Sequence, residues 1–107
     1  MKVIKTVNEF NNEILSHDIT CVKFSATWCR PCKQIEPFVK SLEEKYPLIN
    51  FIHVDINLLE SVSDHYKVES IPCFIAITKN AKVQSRIVGS NTVNIQKFIS
   101  KLSQHLG

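Results

Sequence analysis

Apolar and polar residues alternate along this chain in short blocks, and five of the blocks have the apolar pattern of β-strands. The predicted strands cover residues 2–5, 19–26, 49–55, 74–78 and 83–88. The first is short enough to be an edge strand. Pro72 has no backbone N–H and cannot lie inside a paired central strand, so we place it in a turn before the fourth strand. Residues 79–82 form a turn without the usual glycine, and Gly89 ends the last strand.

Four other segments repeat their apolar residues every three or four positions, which predicts amphipathic helices. Asn8 is a suitable cap for the first helix, which places Phe10, Ile14 and Leu15 on one face. The second covers residues 34–46, where Pro37 predicts a kink, and a shorter one covers residues 58–66. Ser90 or Asn91 caps the last helix, whose apolar residues are Val93, Phe98, Ile99, Leu102 and Leu106.

This order of elements predicts an α/β fold with a central mixed sheet, since strands alternate with helices and a hairpin follows. A chain of 107 residues forms one domain, residues 1–107, around a single core. We see no linker, internal repeat or low-complexity segment.

The charge pattern excludes several classes of protein. The net charge is only +3, and no long basic run is interleaved with aromatic residues, so we expect no nucleic-acid binding. No apolar stretch is long enough to span a membrane, and the N-terminus lacks the apolar region of a signal peptide. We therefore expect a cytoplasmic protein.

The chemistry of the chain centres on Cys29 and Cys32, two thiols two residues apart where a predicted strand gives way to a helix. The first N–H groups of a helix have no partners within it and carry partial positive charge, so a thiolate at that end is stabilised. Cysteines in such motifs have pKa values of roughly 3.5–7.5, against about 8.5 for a free thiol. The spacing also allows the two sulfurs to form a disulfide.

The chain has two further cysteines, which allow the thiols more than one role. Four cysteines could form two structural disulfides in a secreted protein, but only one pair is close in sequence, and the spacing favours a catalytic or metal-binding role. Cys21 begins an apolar strand, which predicts a buried, unreactive thiol. His17, His53, His65 and His105 show no ligand spacing with one another or with the cysteines.

At residues 24–33 the sequence FSATWCRPCK resembles the active-site segment of thioredoxins. Asp55 at the end of the third strand, Ile71-Pro72 and Val88-Gly89 follow in the same order and at similar spacings. The resemblance covers essentially the whole chain.

The resemblance implies a thioredoxin fold, with a central mixed sheet flanked by helices on both faces and a cis peptide bond before Pro72. It implies that Cys29 attacks disulfides of substrate proteins and that Cys32 resolves the mixed disulfide. A thioredoxin reductase-type electron donor then restores the dithiol, and no cofactor is needed. We expect a monomer. The implied substrate-binding residues are Trp28, Pro31, Ile71, Pro72 and Gly89.

Two basic residues beside the pair are candidates for tuning its chemistry. The family usually has glycine where this chain has Arg30, and a guanidinium there favours the Cys29 thiolate. This predicts a more oxidising disulfide, unless solvent cancels the field of the guanidinium. Lys33 contributes a smaller effect of the same sign.

Lys23 is a second departure, because the family often has a buried acid six residues before the first cysteine. That acid is thought to pass a proton to the second cysteine, which a protonated lysine cannot do. Burying a lone ammonium is costly. Either the side chain reaches a surface or an acidic partner, or its pKa falls, or the local packing differs.

Cys73 is the third departure, since the family commonly has threonine after the proline. If Pro72 lies beside the active pair, this thiol could form a wrong disulfide or fill a small semi-polar site. The alternative function is a metal-binding or interaction module on the same scaffold, with Cys29, Cys32 and Cys73 as thiolate ligands. Structural zinc sites usually have four ligands, and a second pair is missing here.

Overall fold

The computed structural model describes residues 1–106 and contains one five-stranded mixed sheet, with strand order β1-β3-β2-β4-β5. Strands β1 and β2 both pair parallel to β3, whereas β4 pairs antiparallel to β2 and to β5. The mixed sheet and the edge position of β1 confirm the sequence-based predictions. The strands are β1 (Lys2–Val3), β2 (Ile19–Ser25), β3 (Asn50–Asp55), β4 (Cys73–Thr78) and β5 (Val83–Val88).

Helices cover both faces of this sheet, as the predicted fold requires. None of those within residues 1–106 is long and apolar enough to cross a membrane. They are α1 (Val7–Ser16), α2 (Arg30–Gln34), α3 (Glu36–Lys45), α4 (Glu60–His65) and α5 (Thr92–Leu106).

The predicted second helix is two helices in the structure, and the first of them begins earlier than expected. Helix α2 starts directly after Cys29, and the chain breaks at Ile35 before α3 continues. Pro37 lies in the first turn of α3, where its missing N–H costs no hydrogen bond. The predicted distortion therefore occurs two residues before the proline, at the position where the proline ring disfavours a continuous helix.

The predicted N-terminal cap of α1 is wrong, whereas one of the two residues predicted to cap α5 does so. Asn8 does not cap α1, because Thr6 takes this role with its hydroxyl oxygen accepting from the Glu9 N–H at 3.1 Å. Thr6 and Glu9 have the spacing of a capping box, which identifies the true start of the helix. Asn91 caps α5, since its Oδ1 accepts from the Asn94 N–H at 3.0 Å.

Two apolar clusters lie on opposite faces of the sheet. In the first, Phe10 and Ile14 of α1 and Val62 of α4 pack on Phe24 and Ile75 of the strands. In the second, helices α3 and α5 pack on the other face, and the residues they bury include Val39, Leu42, Phe74, Ile95 and Ile99. Because β2 and β4 contribute side chains to both clusters, nearly every residue of these strands is buried.

Two helix positions predicted to face the core point to solvent instead. Leu15 is 57% exposed and Val93 is 60% exposed. Leu15 lies next to Ile14 in sequence, about 100° away around the helix. In α5 the buried residues are Ile95, Ile99 and Leu102, whose spacing of four and three defines the face.

The β4–β5 connection forms a tight turn, as predicted from residues 79–82. The Thr78 N–H donates to the Lys82 carbonyl at 2.9 Å and the Ala81 N–H donates to the Thr78 carbonyl at 2.8 Å. Ala81 takes the left-handed conformation, with φ 63°, that glycine usually supplies in such turns.

Candidate active site

Cys29 and Cys32 form a disulfide where β2 leads into α2, with their Cα atoms 5.3 Å apart. This separation lies within the normal range for disulfides. The Cys29 N–H donates to the Ala26 carbonyl at 3.1 Å, so the turn that follows β2 fixes the first cysteine. The predicted pairing of the two thiols is therefore confirmed.

The two cysteines of the pair have different roles in the local structure. Cys29 is the N-cap of α2, and its Sγ accepts from the Cys32 N–H at 3.3 Å. A cap position faces the free N–H groups of the first helical turn, which stabilise negative charge on that sulfur. Cys29 is 4% exposed and Cys32 is fully buried, so Cys29 is the less enclosed residue of the pair.

Trp28 lies beside the pair and is 67% exposed. A second loop holds its ring in place, since the indole N–H donates to Asn57 Oδ1 at 2.9 Å. Asp55 fixes this loop, because its Oδ1 accepts from the Asn57 N–H at 2.8 Å. Asn57 was not predicted as a site residue, because a polar residue after a strand gives no sign of contact with a distant tryptophan.

Ile71 approaches the pair from the segment before β4, and Pro72 follows it. The bond between them is cis, as the resemblance implied, and Ile71 packs against the cluster of Ala26, Cys29 and Cys32. Gly89 follows β5, and its N–H donates to the Pro72 carbonyl at 2.9 Å. Gly89 has φ +111°, which side chains rarely tolerate, so its backbone conformation requires glycine.

Three exposed residues surround the pair within helix α2. Arg30 and Pro31 occupy its first turn, and Lys33 lies in its last turn. Both cations are open to solvent, which weakens their fields at the sulfurs. The proline fits this place because its nitrogen needs no hydrogen-bond donor there.

Lys23 lies under the active pair, with only 1% of its surface exposed. Its side chain therefore does not reach the surface, which was one of the expected alternatives. The ammonium or amine Nζ donates to the Cys32 carbonyl at 3.4 Å. Burial lowers the pKa of Lys23, and the nearby Glu36 carboxylate opposes this shift. The expected alternative of a lowered pKa is the one the structure supports.

The three thiols of the metal-binding hypothesis are not brought together. Cys29 and Cys32 are bonded to each other, whereas Cys73 packs in the first core cluster among residues such as Phe24 and Ile75. Among residues 1–106, no group of three or more histidine, cysteine, aspartate or glutamate side chains is placed to hold a metal ion. The structure therefore contradicts this alternative hypothesis, because β4 turns the Cys73 side chain into the core.

Cys21 and Cys73 are both buried free thiols, as predicted for Cys21. Burial raises the pKa of each, and for Cys73 the Arg86 guanidinium partly opposes the effect. The structure therefore favours the interpretation of Cys73 as a residue that fills space in the core.

We expect iodoacetamide to modify Cys29 first when the reduced, folded protein is treated at neutral pH. Cys21 and Cys73 should remain unmodified, because thiolates react and both buried thiols resist ionisation. Peptide mass spectrometry over a time course measures this order, and the same reaction in denaturant is the control in which all four thiols react. Modification of Cys73 as fast as Cys29 would contradict the burial of its thiol.

Comparisons with known proteins agree with this geometry. A family model described as Thioredoxin matches residues 1–101. The chain is 36% identical to a thioredoxin of Ophiophagus hannah, with 94% of this chain and 97% of that protein covered. It is 34% identical to Thioredoxin-1 of Saccharomyces cerevisiae, with 90% and 92% covered. Among solved structures, a Plasmodium falciparum thioredoxin superposes with a TM-score of 0.91 at 28% identity, with 94% of this chain and 98% of that chain covered.

Proposed function

The chain belongs to the thioredoxin family and is a thiol-disulfide oxidoreductase, and on this premise we propose how its active site divides the work. Cys29 is the attacking thiolate and Cys32 is the resolving thiol. The observation that carries this assignment is the difference between the two sulfurs. Cys29 is 4% exposed and caps α2, whereas Cys32 lies within α2 with none of its surface exposed.

The reaction proceeds in two exchanges. The Cys29 thiolate attacks one sulfur of a substrate disulfide, forms a mixed disulfide and releases the other substrate sulfur as a thiolate. Cys32 then loses its proton and attacks Cys29 Sγ, which forms the Cys29–Cys32 disulfide and releases the second substrate thiolate. Two electrons pass from the protein dithiol to the substrate, and solvent protons complete the released thiols.

A protein segment would bind across the surface formed by Trp28, Pro31, Ile71, Pro72 and Gly89. Trp28 supplies an exposed aromatic face beside the pair, and Ile71 contacts the cluster that contains both cysteines. The backbone around Pro72 and Gly89 is held by their hydrogen bond. We therefore assign protein disulfides as the substrates, bound largely through apolar and backbone contacts.

A thioredoxin reductase-type electron donor would return the disulfide to the dithiol, so that the protein carries electrons between that donor and its substrates. No bound organic cofactor is required, because the cysteine pair itself holds the two electrons. The relatives reported above are thioredoxins, and this supports the assignment. We further propose that the protein acts as a monomer in the cytoplasm.

Reduction of insulin disulfides tests this function. With dithiothreitol or a thioredoxin reductase and NADPH as the electron source, the protein should accelerate precipitation of the released insulin chains. Cys21→Ala is the matched control, since it removes a buried thiol outside the pair and should leave the rate unchanged. Failure of the wild-type protein with both electron sources would overturn the proposal.

Arg30→Gly should make the Cys29–Cys32 disulfide less oxidising, because it removes a cation that favours the thiolate of the reduced form. Arg30 is exposed, so solvent weakens the effect, and we expect a reduction potential lower by about 30 mV or less. Equilibration with glutathione buffers measures this potential. Lys40→Ala removes an exposed cation from α3 and is the control that should leave it unchanged. A higher potential in Arg30→Gly would contradict the predicted sign.

A further inference from the structure

The charged residues of this chain are divided unevenly along its length. All ten acidic residues lie within residues 1–69, whereas residues 70–107 contain five lysine and arginine residues and no acid. In the structure these five lie on the β4–β5 hairpin and on helix α5, at the edge of the sheet opposite β1. An excess of positive charge at one edge attracts acidic partners and opposes contact with the same edge of a second copy.

A groove of about 620 Å³ lies between strand β5 and helix α5 at this edge. Ile87 and Phe98 give it apolar surface, and both are partly buried against the second core cluster. Lys97 and Lys101 line it from α5 and are exposed. We call it the basic groove, since none of the described residues that line it is acidic.

The two lysines of the basic groove are free to bind a negatively charged partner. Neither takes part in an ion pair within residues 1–106. Arg86 also lines the groove, but its guanidinium donates to the Tyr66 carbonyl at 2.7 Å, so the protein itself already holds this side chain. Lys97 and Lys101 are four positions apart, which places both on the same side of α5.

The spacing of these lysines indicates the shape of the partner that fits. Four residues of an α-helix rise about 6 Å along its axis. In an extended segment every second side chain faces the same way, and such side chains repeat about every 6.5–7 Å. Carboxylates at alternate positions of an extended segment can therefore reach Lys97 and Lys101 together. Within residues 1–106, β5 is the last strand of the sheet, so its outer edge is open to such a segment.

The basic groove begins close to the surface proposed above for substrate binding. Ile87 is two positions before Gly89, and the Gly89 N–H donates to the Pro72 carbonyl at 2.9 Å. An extended chain advances about 3.3 Å per residue, so a few residues suffice to connect the two places. A substrate whose disulfide lies at the active pair can therefore place a neighbouring segment in the groove.

We propose that the basic groove binds an extended, acidic segment of the substrate protein next to its disulfide. The inference rests on the proposed function, because it names the class of protein disulfides that the active pair reduces fastest. Carboxylates at alternate positions of the segment bind Lys97 and Lys101, and an apolar side chain beside them covers Ile87 and Phe98. The groove takes no part in the exchange of sulfurs, and it increases the rate at which such substrates associate.

Single-turnover oxidation of the reduced protein by synthetic peptide disulfides tests this preference. Each peptide has one disulfide and a flanking segment, placed before or after it, in which glutamate alternates with leucine. The matched peptides have glutamine instead of glutamate, and acid quenching with mass spectrometry gives the rate constants. At low ionic strength we expect the acidic peptide of the favoured placement to react about tenfold faster than its glutamine counterpart, the lower end for electrostatic steering. Equal rates in both placements would overturn the proposal.

Salt should remove the preference for the acidic peptide, because its origin is the attraction between exposed charges. The screening length falls from about 10 Å at 0.1 M salt to about 3 Å at 1 M. The ratio of the two rate constants should therefore approach one at 1 M salt. A ratio that stays tenfold there would contradict the role of the lysines.

Reversal of the groove charges identifies the residues responsible. Lys97→Glu combined with Lys101→Glu should abolish the preference, and glutamine at both positions should reduce it, while the glutamine peptide reacts as fast as with the wild-type protein. The matched control is Lys5→Glu combined with Lys40→Glu. It makes the same change in net charge at exposed positions after β1 and on α3, and it should keep the preference. Equal losses in the two glutamate variants would show an effect of net charge alone and would overturn the proposal.

NMR maps the bound segment without any reaction. An acidic peptide of the same pattern but without cysteine should shift the backbone amide signals of Ile87, Lys97, Phe98 and Lys101 in the oxidised protein. Shifts confined to other parts of the chain would overturn the proposal. Concentration-dependent shifts of these signals without peptide would identify a second copy as the occupant, and equally tight binding of oligothymidylate would identify a general polyanion site. Either result would also overturn it.

The failures of the two proposals are distinguishable in the same experiments. If neither the acidic nor the glutamine peptide oxidises the reduced protein, the proposed function fails. If both peptides oxidise it at equal rates, the proposed function stands and only the role of the basic groove is refuted.

Discussion

Cys29→Ser should abolish the reduction of protein disulfides, whereas Cys32→Ser should stop the reaction after its first exchange. Cys29 caps α2 and is 4% exposed, whereas at most 1% of the surface of each other cysteine is exposed, so we expect no other thiol of the described residues to replace it. Cys32 has none of its surface exposed, and in the proposed reaction it is required only to release the substrate. With serine in that place, the mixed disulfide has no resolving thiol and should accumulate.

Mass spectrometry under non-reducing conditions measures these outcomes after incubation with oxidised insulin or glutathione disulfide. Cys32→Ser should gain one substrate molecule at Cys29, and dithiothreitol should remove it. The control tests whether Cys73, the thiol next to Pro72 in sequence, takes part in trapping. The double variant with Cys32→Ser and Cys73→Ala should trap as much substrate as Cys32→Ser alone. Equal trapping in Cys29→Ser and Cys32→Ser would refute the assigned order of attack.

Phe74→Ala should lower the free energy of unfolding by about 3–5 kcal/mol, the usual cost of removing a buried aromatic side chain. Phe74 is fully buried in the second core cluster, where β4 meets α3 and α5. Because small domains are stable by only about 5–15 kcal/mol, this loss removes a large share of the total. Chemical denaturation followed by circular dichroism measures the change.

Phe98→Ala is the matched control for this prediction. Phe98 packs against the same cluster but is only partly buried. Its truncation leaves a smaller cavity and exposes less apolar surface, so the loss should be clearly smaller than for Phe74→Ala. Equal losses at the two positions would show that the cluster is less closely packed around Phe74 than the structure indicates.

Elements with a strong local pattern were predicted well. The order and type of the strands followed from runs of apolar residues, and Gly89 ended β5 as expected. The errors lie at helix starts and on helix faces. Asn8 and Thr6 are both good capping residues, and the capping-box spacing of Thr6 and Glu9, which the prediction did not use, favours Thr6. Leu15 and Val93 are apolar, but their exposure depends on which side of each helix the sheet covers.

The active-site predictions were also correct where they depended on neighbouring residues and failed where they depended on distant contacts. Cys29 and Cys32 could be paired from their spacing, since a helical turn brings such residues together in any context. The contact of Trp28 with Asn57 joins residues 29 positions apart, and nothing near either residue predicts it. Cys73 was expected to be able to reach the pair because it follows Pro72. The side-chain alternation of β4 directs it into the core instead.

By itself, the sequence determined that a reactive pair of thiols begins a helix after a buried strand, because strand, turn and helix preferences act over a few neighbouring residues. Only the tertiary structure decided that Lys23 is buried with its amine against Cys32 and beside a cavity lined by Glu36 and His53. That arrangement depends on the packing of β2, β3 and α3 together, and no short stretch of the chain contains it.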